Sequence, residues 1–89
     1  MQFAWDETKR RSNLAKHGVD FVDAARMLCG TPLLFEDDRR DYGERRCVAV
    51  GEEAGFVLVV VFTVRDGVFR LISARRANAR ERRKYADQP

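Results

Sequence analysis

Apolar and polar positions along the chain divide it into short alternating and helical stretches with polar breaks between them. Residues 1–5 (Met-Gln-Phe-Ala-Trp) alternate, with Phe3 and Trp5 on one parity, and predict a short strand. Asp6 has the form of a helix N-cap, and Glu7 follows in the first turn, where the helix dipole favours negative charge. The helix it opens is expected to run to His17 and to stop at Gly18, the residue type that tolerates a left-handed cap. Its apolar content is thin, Leu14 and Ala15 only, so Trp5 and its neighbours are expected to hold it down.

Asp20 is the next N-cap, with Val19 positioned to pack against Ala24 across it. Phe21, Ala24, Ala25 and Leu28 fall at helical spacing, in a helix that ends at Gly30 before Pro32. Residues 33–36 predict a strand, followed by a polar loop, Asp-Asp-Arg-Arg-Asp-Tyr-Gly, over residues 37–43. Three strands follow at 46–50, 56–64 and 68–74, joined by a Gly51–Gly55 turn and an Arg65-Asp66-Gly67 turn. Connections this short force antiparallel neighbours. The apolar run over residues 56–62 is expected to be the central strand, covered on both faces. Asn78-Ala-Arg-Glu81 has the form of a capping box opening a last helix, whose apolar residues are Ala79, Tyr85 and Ala86. The expected fold class is α+β: a small antiparallel sheet, two N-terminal helices packed on it and a basic C-terminal helix, in the order β-α-α-β-β-β-β-α, as a single domain over residues 1–89.

Size and composition narrow the classes. A chain of 89 residues buries only about 60% of its unfolded surface. Cys29 and Cys47 lie in apolar stretches without metal-ligand spacing, and are expected to be buried free thiols in a reducing compartment. The apolar run is far short of the roughly 20 residues that span a bilayer. A soluble cytoplasmic protein without a membrane partner is expected. Seventeen Lys and Arg against fourteen Asp and Glu give a net charge of only +3, but the charges are clustered. Residues 75–84 carry six positive charges and one negative, and residues 9–17 carry Lys9, Arg10, Arg11, Lys16 and His17 with no acid. Arginine forks suit phosphate, so two such clusters point to a polyanion partner. A solvated helix face fits the same runs.

Three blocks carry a resemblance. Trp5-Asp6-x-x-Lys9-x-x-x-Asn13-x-x-Lys16-His17-Gly18-Val19-x-Phe21 comes first, then Glu44-x-Arg46-x-x-x-x-Gly51. Arg70-x-Ile72-Ser73-Ala74-Arg75-x-Ala77-x-x-x-Glu81-Arg82-x-x-Tyr85 comes last. Together, in this order over residues 5–85, they resemble the BrnT toxins of type II toxin–antitoxin systems. The resemblance implies a compact RelE-like fold and ribonuclease activity on cellular RNA that inhibits translation. It also implies neutralisation by a BrnA-type antitoxin carrying a ribbon-helix-helix DNA-binding module. The pair represses its own operon, so DNA is reached only through the antitoxin. Arg45 departs from the pattern, standing where many relatives have an acidic residue.

RNA supplies its own nucleophile, the 2′-hydroxyl, so an enzyme needs only to move protons and offset charge on the phosphate. With one histidine and no metal-ligand spacing, a reaction without metal or cofactor is expected. His17, the only group with an unperturbed pKa near neutrality, is the candidate general acid; capping the first helix is its other reading. Arg46 and Arg75 are the candidate clamps on the scissile phosphate, with Arg70 as an RNA contact if all three share a sheet face. A one-residue slip inverts that face, and Arg70 shares parity with Ile72 and Ala74. Ion pairing with Glu36, Asp37 or Glu44 is the alternative for these arginines. Lys16, Arg76, Arg80 and Arg82 are candidate RNA-backbone contacts, and Tyr85 either stacks on a base or packs the last helix. Glu81 is explained by its capping box, and Trp5 by core support. The alternative function is a non-catalytic RNA- or ribosome-binding module using the same basic surface.

Overall fold

The structure is a computed structural model and describes residues 1–38 and 43–88. Its elements are β1 (Gln2–Ala4), α1 (Glu7–His17), α2 (Phe21–Leu28), β2 (Leu33–Asp37), β3 (Arg46–Glu53), β4 (Phe56–Arg65), β5 (Val68–Arg76) and α3 (Ala79–Ala86). The α+β class and the element order are those expected. The strands form one five-stranded sheet in the order β1-β5-β4-β3-β2. Consecutive strands from β2 to β5 pair antiparallel, as the short connections require. The sheet is mixed, because β1 pairs parallel with β5. Two helices separate β1 from β2, long enough to carry the chain to the far edge, and only such a crossover permits a parallel neighbour.

Local chemistry fixes the ends of the elements. The Asp6 side chain accepts from Thr8 N at 2.8 Å, and Gly18 closes α1 with φ 70°. Both hairpins turn on two residues of positive φ, Ala54 with Gly55 and Asp66 with Gly67, a backbone that matches the twist of the flanking strands. β3 therefore runs on to Glu53, beyond the expected turn at Gly51. Gly51 has a different duty: a Cβ there would lie 2.7 Å from Met27 Sδ, so it lets α2 approach the sheet. Of the expected polar loop, Asp37 closes β2 and residues 39–42 lie outside the described residues.

The core lies between the sheet and the α1–α2 layer. Phe21, Ala24, Met27 and Leu28 of α2 pack against Ala49, Leu58, Val60, Phe62, Leu71 and Ala74 of the strands. Trp5 meets Phe21 of α2 edge-on with ring centroids 6.1 Å apart and packs against the core. The apolar residues of α1 do not enter this core. Leu14 is 40% exposed, and the buried residue of α1 is Asn13. Its amide donates to Ala74 O (2.7 Å) and Val19 O (3.0 Å) and accepts from Ala74 N (3.1 Å). β1 ends at Ala4, opposite Arg70, and further along β5 Asn13 gives Ala74 the donor and acceptor that a strand neighbour would have given. The cysteines differ from expectation: Cys29, just past the end of α2, is exposed, and Cys47 is half-buried.

One irregularity sets which side chains share a face. Val61 pairs with Ser73 but Phe62 pairs with Leu71, so Ile72 is an extra residue in β5, a bulge. Leu71 and Ala74, three apart, both face the core. The parity of β5 reverses across the bulge.

Candidate nucleic-acid interface

The face of the sheet away from α1 and α2 is where the basic strand residues gather. Arg46 pairs with Thr63, and Thr63 with Arg70, so these three form one row across β3, β4 and β5. Val48, Val61 and Ser73 form the next row, and Val50, Val59 and Arg75 the one after. Because alternate residues share a face, Arg46, Arg70 and Arg75 all stand on the open side. The ambiguity over Arg70 is resolved by the bulge: it shares a face with Ser73 and Arg75, not with Ala74. One row lies between those of Arg70 and Arg75, which stand roughly 13 Å apart along the strand.

Around Arg75 the open face becomes a groove of about 830 Å³, floored by Val48, Val50, Val59 and Val61. Leu33 and Phe35 of β2 line it, and Glu81, Lys84 and Tyr85 of α3 form part of its wall. No residue of α3 is fully buried. What ties α3 down is a two-pronged ion pair, Arg75 Nη1 to Glu81 Oε1 at 2.8 Å and Nη2 to Oε2 at 2.9 Å. Glu81 also completes the capping box, accepting from Asn78 N at 2.9 Å while Asn78 Oδ1 accepts from Glu81 N. The Arg75 guanidinium, opposed by partial burial and helped by the Asn78 backbone, lowers the Glu81 carboxyl to about 2. Ion pairing for Arg75 was one of two readings from sequence; the partner is Glu81 rather than Glu36, Asp37 or Glu44. Glu36 instead pairs with Arg45 at 3.4 Å.

At the other end of β5 lies a smaller cleft of about 340 Å³, lined by Ala4, Glu44, Thr63, Arg65, Asp66, Val68 and Arg70. Thr63 is only 4% exposed, held between the Arg46 and Arg70 positions. Arg65 follows Thr63 by two residues on β4 and so joins the same face, a place that assigning it to a turn concealed.

The remaining candidates are dispersed. His17 is half-buried at the end of α1, one turn beyond Asn13, and so belongs to the layer on the other side of the sheet from Arg46, Arg70 and Arg75. It lines neither cleft. The structure thus brings Arg46 and Arg70 into one row but does not join His17 to them. Lys16 and Arg80 are exposed. Arg76 lies over the Phe56 ring at 4.0 Å, and Arg82 donates to Ala77 O at 2.9 Å. Tyr85 is half-buried in the groove wall. Among the described residues no three His, Cys, Asp or Glu side chains stand together as a metal site, and no helix is long and apolar enough to cross a membrane.

Compared with known families, residues 5–81 match the model of the family described as "Ribonuclease toxin, BrnT, of type II toxin-antitoxin system". No curated protein matches the chain.

Proposed function

The chain belongs to the BrnT family of ribonuclease toxins of type II toxin–antitoxin systems, and from that membership we propose that it cuts cellular RNA without a metal, inhibits translation in the cytoplasm, and is neutralised by a BrnA-type ribbon-helix-helix antitoxin. The observation that carries the reading is the sheet face left open by α1 and α2, on which Arg46, Arg70 and Arg75 all stand. A single strand of RNA lies along β5 on this face. Arg70, with Arg46 in its row, holds the phosphate under attack, where its charge offsets the charge that develops on phosphorus. Glu44, in the same cleft, takes the proton from the 2′-hydroxyl. The 2′-oxygen bonds to phosphorus, the bond to the 5′-oxygen breaks, and that oxygen takes a proton from water. Arg75 and Arg80 meet neighbouring phosphates, contacts that salt weakens, Tyr85 stacks on a base at the groove wall, and Lys16, on α1 across the sheet, adds positive charge only at longer range. Arg76 and Arg82, each already engaged within the chain, add positive potential along that end. The antitoxin covers the same open face, and DNA is reached only through it.

One observation favours a second placement of the chemistry: the only imidazole of the chain stands half-buried at the end of α1, where it would serve as proton donor. Cleavage of a purified RNA in EDTA separates the two. The Arg70 reading expects Arg70→Ala and Glu44→Gln to cut at least ~10²-fold slower, with His17→Ala within a few-fold of wild type. A collapse in His17→Ala alone moves the chemistry to the end of α1. Wild type that binds RNA without cutting, even with ribosomes and magnesium, overturns both and leaves a binding module.

A further inference from the structure

The arginines of the open face are not in the same condition. Arg75 is held on two prongs by Glu81. Arg65 and Arg70 are exposed, and neither has an ion-pair partner among the described residues. Arg65 pairs with Val68, so Arg70 is its diagonal neighbour across the β4–β5 ladder, a separation of about 7–8 Å between Cα atoms. That distance is well within reach of two arginine side chains toward a common point. Two like charges side by side repel each other unless an anion sits between them. Between them opens the small cleft with the Thr63 residue in its wall, and a hydroxyl there adds a third donor.

We propose that Arg65, Arg70 and Thr63 form a single-phosphate site that holds the RNA backbone at the hairpin end of the sheet, with Arg65 a direct ligand of the phosphate. The assignment deepens the ribonuclease reading above and rests on it for the identity of the polyanion. Glu44 and Asp66 complete the lining of the cleft. The anion is therefore met by a cation pair flanked by carboxylates, not by a uniformly basic plane. Such a site accepts one phosphate in one position and rejects a second beside it. This is what a cleaving enzyme needs and what a general polyanion surface does not supply.

The test compares Arg65→Ala, Arg65→Lys and Arg26→Ala, the last an exposed arginine of α2 on the opposite layer with the same change of charge. A 2′-O-methyl oligoribonucleotide, which cannot be cut, measures binding, and an unmodified RNA measures cleavage. Arg65→Ala is expected to weaken binding about tenfold and to lower the slope of log affinity against log salt by about 0.7, the value for one phosphate contact on a single strand. It is expected to slow cleavage ~10²-fold, while Arg65→Lys recovers the salt slope but only part of the rate, because a point charge lacks the two-pronged fork. Arg26→Ala should stay within twofold of wild type in both. If Arg65→Ala tracks Arg26→Ala in binding and slope, the site is overturned whether or not the wild type cuts. Absence of cleavage in the wild type alone would instead count against the ribonuclease reading, with the binding arm still deciding on Arg65.

Discussion

On one side of the sheet α1 and α2 bury Phe21, Ala24, Met27 and Leu28 against the strands, and Asn13 bonds directly to a strand backbone. On the other side α3 buries none of its residues and is held by one ion pair and a capping box. Yet the valines beneath it are as apolar as those of the core. The difference teaches where stability and function are kept apart. The first side is closed by packing, which is strong and hard to exchange for other contacts. The second is closed by polar ties over an apolar floor, which are more readily exchanged for other contacts, as the proposed function of this face requires.

The comparison can be broken most severely at Phe21. Phe21→Ala, fully buried at the first turn of α2, is expected to cost about 3–5 kcal/mol in denaturant unfolding, enough to unfold much of the population of so small a domain. Asn13→Ala should follow at about 2–3 kcal/mol, because the amide and carbonyl of Ala74 then lose their partner in a buried setting. An Asn13→Ala protein as stable as wild type would show that α1 is held by something other than this amide. Gly51→Ala presses a methyl group on Met27 and Pro32 and is expected to cost about 1–2 kcal/mol.

On the α3 side the effects should be smaller and local. Arg75→Ala is expected to lower global stability by no more than about 1 kcal/mol, since the pair is partly solvated. Amide exchange of residues 79–86 should nevertheless speed up selectively. A uniform change across the whole chain would mean that α3 unfolds only with the sheet, and the contrast between the two sides would be lost. The gentlest probe is acid. Glu81 titrates at about 2 when folded against an ordinary 4.5, so its contribution is complete above about 4.5 and is lost as pH falls toward about 2. Protection of the α3 amides should decline across that window in wild type and should start low, with less further decline, in Arg75→Ala.

The contrast was only half legible in the sequence. Helix caps are readable because their signals are local: Asp6, Gly18, Asp20 and the Asn78–Glu81 box lie within a few residues of what they bond, whereas the strands run one to three residues into the expected turns. Asn13 was not, since its partner Ala74 is 61 residues away and a polar residue in a helix gives no hint of burial. The parallel pairing of β1 was hidden for a similar reason, as no short loop dictates it. Arg46, Arg70 and Arg75 were identified by residue type and by the family pattern, but their common face depends on the bulge at Ile72, which alternation of apolar residues could not reveal. Arg65, two residues before Gly67, reads from sequence as part of a turn, while the strand runs through it.

That bulge makes β5 a strand with two reading phases. Residues before Ile72 count their inner and outer sides in one frame, and residues after it count in the other. Removing one residue here would leave every strand in place on paper, yet it would swing Arg75 inward and carry α3 to the wrong side of the sheet. The length of β5 is therefore as much a part of the proposed interface as any arginine on it, and a deletion that preserves every charge can still erase the surface by altering the count.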